Sequence, residues 1–475
     1  MIRSGLILTS GNVAAALLGL VRNIVIARLV SVEDFGIAST FAITMALVEM
    51  ASNFSLDRLV VQARDGDEPR LLSTLHAVQA IRGLLGTGVL FLVAGPVAAL
   101  FGVPEVAWAY QALALVPFLR GLAHLDMFRR QREMQFVPSA TVEVSAQMLS
   151  SLSALPLALW LGDWRAMLYA LLIQQLVFTA ASHWVALRPY RWSWDHGIVR
   201  RALRFGLPLL ANGILMFGIF QGDRIIVGSL IGMTELGWFS AAFSLTLPPA
   251  LVLASILNRF FLPQLSRLQD DDLAFGSLYP VVIEGVLLVG VVLLGLLAIL
   301  GPSLLLALYG PRYEAALPFV VLLGAMQALR LAKAGPAIVA LSRAEATNPL
   351  LANIVRAAAL PVAWLVVWQG GGVTALVVTA ILGEGLSLLA ALVLLGLRMS
   401  LVLDAVMPSV TAGVVVVGLV VVDALVWSPG ADPIANVHAF QAVIIVPALF
   451  MLWSMRPLRS WMRHGLVARK VPGSL

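Results

Sequence analysis

The sequence predicts an all-α polytopic membrane protein: two six-helix bundles related by a pseudo-two-fold along the membrane normal, then two more helices. Three observations lead there. The 475 residues are 60% hydrophobic and only 12% charged, with a mean hydropathy of +0.95, where a soluble domain carries about 25% charged residues. Apolar runs near or above 18 residues recur along the whole chain, each long enough to cross a hydrocarbon core of about 30 Å. Such segments cross as helices, because each must satisfy its own backbone polar groups. The third observation is a repeat. With an offset of 201, Arg3, Gly5, Leu6 and Leu8 fall on Arg204, Gly206, Leu207 and Leu209. Ile24, Leu29, Gly36, Ser39, Leu56 and Arg58 fall on Ile225, Leu230, Gly237, Ser240, Leu257 and Arg259, so ten identities run through Arg3–Gln62 without a gap. They include charges, glycines and the turn, which shared apolar composition does not explain.

Taken in order, the runs place fourteen spans near residues 5–29, 36–58, 77–101, 106–126, 138–161, 166–187, 205–231, 236–258, 279–301, 315–341, 349–369, 373–396, 403–427 and 438–455. The first opens directly after Met1-Ile2-Arg3 with no small-residue cleavage site, so it reads as a retained helix. Six spans return the chain to its starting side, so the repeat keeps its direction and its axis lies along the membrane normal. The organisation is therefore 1–187 for the N-terminal lobe, 188–204 for a linker, 205–398 for the second lobe, and 399–475 for two extra helices and a basic tail. Leu119-Arg120 and Leu329-Arg330 continue the correspondence only at an offset of 210.

Charge sets the orientation. Of 31 Lys and Arg, nineteen fall on the side of the N-terminus and the tail, and only Arg165 and Arg312 fall on the other. By the positive-inside rule both termini are cytoplasmic. This distribution, rather than the net charge of +6, is informative; it speaks for a membrane and against a nucleic acid. Trp108, Trp160, Trp164, Trp238, Trp368, Trp427 and Trp453 fall near span ends, as an interfacial belt does. The linker Arg188-Pro-Tyr-Arg-Trp-Ser-Trp-Asp-His-Gly-Ile-Val-Arg-Arg is basic and aromatic, suited to anionic membrane lipids. There are no cysteines, so disulfides and thiolate metal ligands do not enter. No spacing of the six histidines suggests a metal.

Charges inside apolar spans are candidates for function. The deep cations are Arg22, Arg120, Arg224, Arg330 and Lys333. Arg28, Arg58, Arg82, Arg259 and Arg356 lie near enough to span ends to snorkel or to make a structural pair. Lys333 precedes Ala334-Gly335-Pro336, which can break its helix and free carbonyls. Arginine suits phosphate recognition through its planar fork, and the candidate anion-binding set is Arg22, Arg58, Arg120, Arg224, Arg259, Arg330 and Lys333. Glu49, Asp57, Glu143, Asp223, Glu284, Glu384, Asp404 and Asp423 are candidate partners, with Asp57, Asp223 and Glu49 the gate or ion-coupling candidates. The repeat sets Arg22 opposite Asp223, which could approach and hold one side shut. The bland reading of each acid is a structural salt bridge. No phosphate loop of the G-x-x-x-x-G-K-[ST] type and no H-E-x-x-H occurs, so neither nucleotide hydrolysis nor a cofactor is expected.

The runs Arg204-Phe-Gly-Leu-Pro, Gly222-Asp-Arg, Gly237-Trp-Phe-Ser-Ala-Ala and Leu262-Pro-Gln-Leu-Ser-Arg, with Val21-Arg-Asn-Ile-Val-Ile-Ala-Arg-Leu-Val-Ser-Val-Glu-Asp-Phe-Gly, resemble the polysaccharide transporter family. It belongs to the multidrug/oligosaccharidyl-lipid/polysaccharide exporter superfamily. The resemblance implies a two-lobed, alternating-access flippase of the bacterial inner membrane. It would carry an undecaprenyl-pyrophosphate-linked oligosaccharide from the cytoplasmic to the periplasmic leaflet, beside other membrane proteins of polysaccharide assembly. Asp223 stands where the first repeat has Arg22, so the two charge sets are not equivalent. The alternatives are a lipid II or drug exporter of the same superfamily, or a membrane polymerase, ligase or glycosyltransferase of the same pathway. The last is disfavoured by an outside loop near Ser428–Val437 too short to carry catalytic residues.

Overall fold

The computed structural model describes the backbone of residues 2–52, 56–426 and 433–468. Trp427, the start of the outside loop near 428–432, and the tail cations Arg469 and Lys470 lie outside the described residues, as do the side chains of Arg3, His438 and His464. The described chain is helical, as its hydropathy requires.

Its elements are α1 (Ile2–Leu29), α2 (Val32–Ser52), α3 (Leu56–Gln62), α4 (Pro69–Leu100), α5 (Ala107–Leu113), α6 (Leu115–Gly121), α7 (Asp126–Arg132), α8 (Val137–Leu161), α9 (Arg165–Trp184), α10 (His196–Ile226), α11 (Met233–Arg267), α12 (Asp272–Tyr309), α13 (Leu317–Ser342), α14 (Thr347–Trp368), α15 (Val373–Met399), α16 (Met407–Val426), α17 (Pro433–Ser454) and α18 (Arg456–Ala468). Among the described residues ten helices are long and apolar enough to cross a membrane, and the bent pair Pro104–Gly121 with Asp126–Arg132 makes up to eleven. The protein is therefore a multi-pass membrane protein.

By contact the chain divides into two compact units, Met1–Ser240 and Ala241–Leu475. The division falls within α11 and not in the segment 188–204. Residues 196–204 are themselves helical, because Asp195 caps α10 by accepting from the Gly197 and Ile198 amides at 2.8 and 3.1 Å.

In the first unit α8 packs between α1 and α9, α4 packs on α5 and α6, and α10 lies along α2. The α2–α10–α11 junction explains two glycines of the repeat. A Cβ at Gly36 would collide with the Met233 carbonyl, and one at Gly237 with the Val32 carbonyl. Since Val32 and Met233 are also 201 apart, the contact is reciprocal, as a local two-fold requires. Gly213 makes a third close approach, to the Met50 carbonyl. Before this junction α10 ends in a π-helical turn, Val227–Ile231.

In the second unit α13 is the hub, packed on α12, α15 and α16, while α14 pairs with α15 and α17 with α16. As the hub, α13 is the most enclosed of the candidate spans among the described residues, with 78% of its most apolar window buried within the protein. This corrects the expectation of a broken helix at Ala334-Gly335-Pro336. Helix α13 runs unbroken through Pro336, and Gly335 serves close packing instead, its would-be Cβ lying 3.2 Å from the Ile283 Cα of α12. Asp271 caps α12 through the Leu273 and Ala274 amides at 3.1 and 3.0 Å. Glu284, wholly buried in α12, accepts from the Leu458 amide at 2.9 Å and the Ser409 hydroxyl at 3.2 Å, fastening α18 and α16 to it.

Candidate functional site

The second unit holds the densest charge cluster. Helix α13 presents Arg330 and Lys333 one turn apart, α14 presents Arg356, and all three reach Glu384 of α15. Arg330 lies 2.8 Å from one carboxylate oxygen, Lys333 3.1 Å from the other, and Arg356 3.1 Å from the first. Glu384 and Arg356 are 0% exposed, and Arg330 and Lys333 only 11% and 12%. Gln327 and Asn353 add acceptors, to Arg330 at 3.2 Å and to Lys333 at 3.2 Å. Three cations thus face one carboxylate, a formal excess of two positive charges. Beside them opens a cavity of about 140 Å³ lined by Arg330, Lys333, Asn348 and Asn353 among alanines and prolines.

Of the sequence candidates, Arg330 and Lys333 line this cavity. Of the two alternatives for Arg356, snorkelling or a structural pair, it takes the pair: it is the largest fully buried side chain among the described residues and sits on Glu384. Glu384 is the salt-bridge partner that the bland reading expects. No spacing in sequence announces the set, because its members come from three helices.

The first unit holds a larger cavity, about 230 Å³, among α2, α3, α4, α6, α8 and α9. Glu49, Asp57, Arg82, Arg120 and Glu143 line it, with Gln79, Gln175 and Phe178. The Arg120 guanidinium lies over the Phe178 ring, 4.0 Å from its centroid. Gln79 holds the turn that follows by donating to the Arg120 and Ala123 carbonyls at 3.0 and 2.9 Å. Asp57, Glu49 and Arg120 are among the sequence candidates, and Arg82, near enough to a span end to snorkel or to pair, lines the same cavity.

The remaining candidates lie elsewhere. Arg22 is buried between α1, α8 and α9, donating to Ser150 at 3.0 Å and to Gln174 at 2.6 Å. It makes no ion pair with Asp223, so the expected gate pair is not formed in this arrangement. Arg224 is buried in the α2–α10–α11 junction, bonded to Gln221 at 2.9 Å and to the Ser240 hydroxyl at 3.2 Å. It also approaches the carbonyl of Ser39, which is the repeat mate of Ser240. Asp223 is buried beside it. Arg58 and Arg259, repeat mates, are both exposed.

The segment after α9 is strapped to the first unit by histidines that sequence treated one by one. His76 Nε2 accepts from the Leu125 amide at 3.1 Å, and its Nδ1 faces the Arg191 carbonyl at 3.3 Å. His124 Nδ1 accepts from the Asp126 amide at 3.0 Å, leaving Nε2–H for the Arg188 carbonyl at 3.0 Å. Each ring must therefore be neutral and in one tautomer. Tyr190 packs against His76, His124 and His183. Nearby, hydrogen bonds from Arg201 at 2.7 and 3.0 Å hold the Asp65 carboxyl below its ordinary range.

Comparison with known proteins decides the family. The sequence profile described as polysaccharide biosynthesis protein matches residues 25–318, more than half of the chain. The chain belongs to the polysaccharide biosynthesis protein family. Within it, the chain is 25% identical over 304 residues to the succinoglycan biosynthesis transport protein ExoT of Rhizobium meliloti (strain 1021), covering 63% of this chain and 60% of that one. It is 23% identical over 259 residues to the lipopolysaccharide biosynthesis protein WzxC of Escherichia coli (strain K12), covering 54% and 52%. The matched stretch thus spans between half and three fifths of these relatives. This family member shares its fold with the lipid II flippase MurJ in an inward closed conformation (TM-score 0.70, 12% identity, 98% of this chain and 100% of that one). A multidrug MATE transporter in an inward-facing conformation superposes with a TM-score of 0.67, at 15% identity over 81% of this chain and 94% of that one.

Proposed function

We propose that this family member is a flippase. It moves an undecaprenyl-pyrophosphate-linked oligosaccharide from the cytoplasmic to the periplasmic leaflet of the bacterial inner membrane, for synthesis of a surface polysaccharide. The observation that carries the reading is the cluster on Glu384. Three cations gathered on one carboxylate in an apolar helix bundle make a strongly cationic site, and a diphosphate supplies two or more negative charges in a form arginine binds bidentately. Glu384 touches all three side chains and so holds the set in place while the site is empty. The names of ExoT and MurJ, a transport protein and a flippase, support the flippase reading.

On this reading residues 1–187 and 205–398 are the two lobes, fourteen spans bring both termini to the cytoplasmic side, and transport proceeds by alternating access. Arg330 and Lys333 would hold the diphosphate, and Arg356 would keep Glu384 in reserve. The test is export in a strain lacking the chain, complemented with Arg330→Ala, Lys333→Ala or both. Export should fall at least about tenfold in each single variant and vanish in the double, since a charge-assisted hydrogen bond is worth that or more, while the amount of inserted protein stays normal. Undiminished export by the double variant overturns the assignment.

A further inference from the structure

The cavity of the first unit carries a different chemistry from the cluster on Glu384. Glu49, Asp57, Arg82, Arg120 and Glu143 converge on it, yet among the described residues none of the five makes an ion pair with another within 4.0 Å. The cluster in the second unit is the opposite: every cation there is on its carboxylate. Charges that line a cavity without pairing keep their full hydrogen-bonding capacity for whatever enters. With three carboxylates and two guanidiniums the formal charge is −1. A diphosphate is repelled by that balance.

We propose that this cavity is a glycan site, taking uncharged sugar units through their hydroxyl groups. The proposal rests on the flippase reading and deepens it, assigning the sugar and the diphosphate to separate sites. A sugar presents adjacent hydroxyls, each both donor and acceptor. Carboxylates accept from such pairs, and guanidinium and amide groups donate to them. Glu49, Asp57 and Glu143 are the acceptors, Arg82, Arg120 and Gln175 the donors. The neutral ring leaves no charge of its own to be desolvated. Arg120 is steadied for this by the Phe178 face beneath it.

The test uses the full-length chain in lipid nanodiscs and saturation-transfer NMR with methyl β-glucoside, the methyl glycoside of N-acetylglucosamine, glucuronate and inorganic pyrophosphate. The neutral glycosides should receive saturation, and neither glucuronate nor pyrophosphate should displace them. Arg82→Gln combined with Glu143→Gln, and separately Gln175→Leu, should weaken glycoside binding about tenfold and leave pyrophosphate binding unchanged. The proposal is overturned if no neutral glycoside receives saturation, in which case the cavity is only solvated. It is also overturned if glucuronate or pyrophosphate competes, or if folded variants bind as before. Charge discrimination by the unmodified chain decides the matter even where a variant fails to fold. Pyrophosphate binding that survives Arg330→Ala with Lys333→Ala sinks the flippase assignment instead, and leaves the glycoside result readable.

Discussion

At the scale of residues, Glu384 is where one atom count matters most. It is wholly buried and receives Arg330, Lys333 and Arg356. Breaking a buried ion pair by removing one partner costs about 3–5 kcal/mol, because the other charge stays behind. Glu384→Gln leaves three cations behind, so the melting temperature of the purified protein should drop. Inorganic pyrophosphate should raise it again by binding the folded state. A melting temperature equal to that of the parent, or no response to pyrophosphate, contradicts the account. Arg22 and Asp223 supply a second residue-scale prediction. The sequence sets them at equivalent repeat positions, but Arg22 is spent on Ser150 and Gln174. Exchanging the two charges in one chain should therefore restore no export over the worse of the single variants, Arg22→Asp and Asp223→Arg. Partial rescue would show that they meet in another state of the protein. Equivalence in a repeat was legible from sequence, whereas the partner of each charge was not. A hydrogen-bond partner is set by the helix packed alongside, which the repeat does not name.

At the scale of elements, the closest approaches are the turns that open α2 and α11. Gly36 against Met233 and Gly237 against Val32 form one contact used twice. A methyl group at either place meets a backbone carbonyl first, and at Gly237 the Val32 side chain as well; backbone cannot yield as a flexible side chain can. Gly36→Ala and Gly237→Ala should each impair export to a similar extent. Their combination should cost less than the two effects added, because either one already parts the turns. Strictly additive effects would argue against a shared contact. The sequence exposed these glycines as repeat mates but not why they are glycines. Pro336 teaches the converse: a proline in an apolar run signals a break, yet α13 stays whole because helices on several sides hold it. Arg356, near a span end in sequence, is buried for the same kind of reason, with α15 lying across it.

At the scale of the whole molecule, membrane insertion follows from hydropathy, and the Lys and Arg count proposes an orientation with both termini cytoplasmic. Reporter fusions after Arg130, Arg191 and Arg398 should read cytoplasmic, and those after Gly162, Thr234 and Gly371 periplasmic. A periplasmic signal at Arg191 would break the arrangement of two six-helix lobes. The histidine-bound segment around Tyr190 belongs to this scale too. Sequence marked it as basic and aromatic, while its attachment through neutral His76 and His124 depends on residues that α4 and the turn before α7 bring together.

By itself the sequence determined the helical class, the membrane environment, the 201-residue repeat and the chemistry to look for, namely arginines and acids where water is scarce. Those follow from hydropathy, periodicity and composition, which are local or additive along the chain. Only the tertiary structure decided which charges share a place. It put three cations on Glu384 and left five charges around the other cavity without ion pairs to one another. It set Arg22 and Arg224 into helix junctions. Distances between side chains on different helices depend on how the helices pack, and no single stretch of sequence carries that.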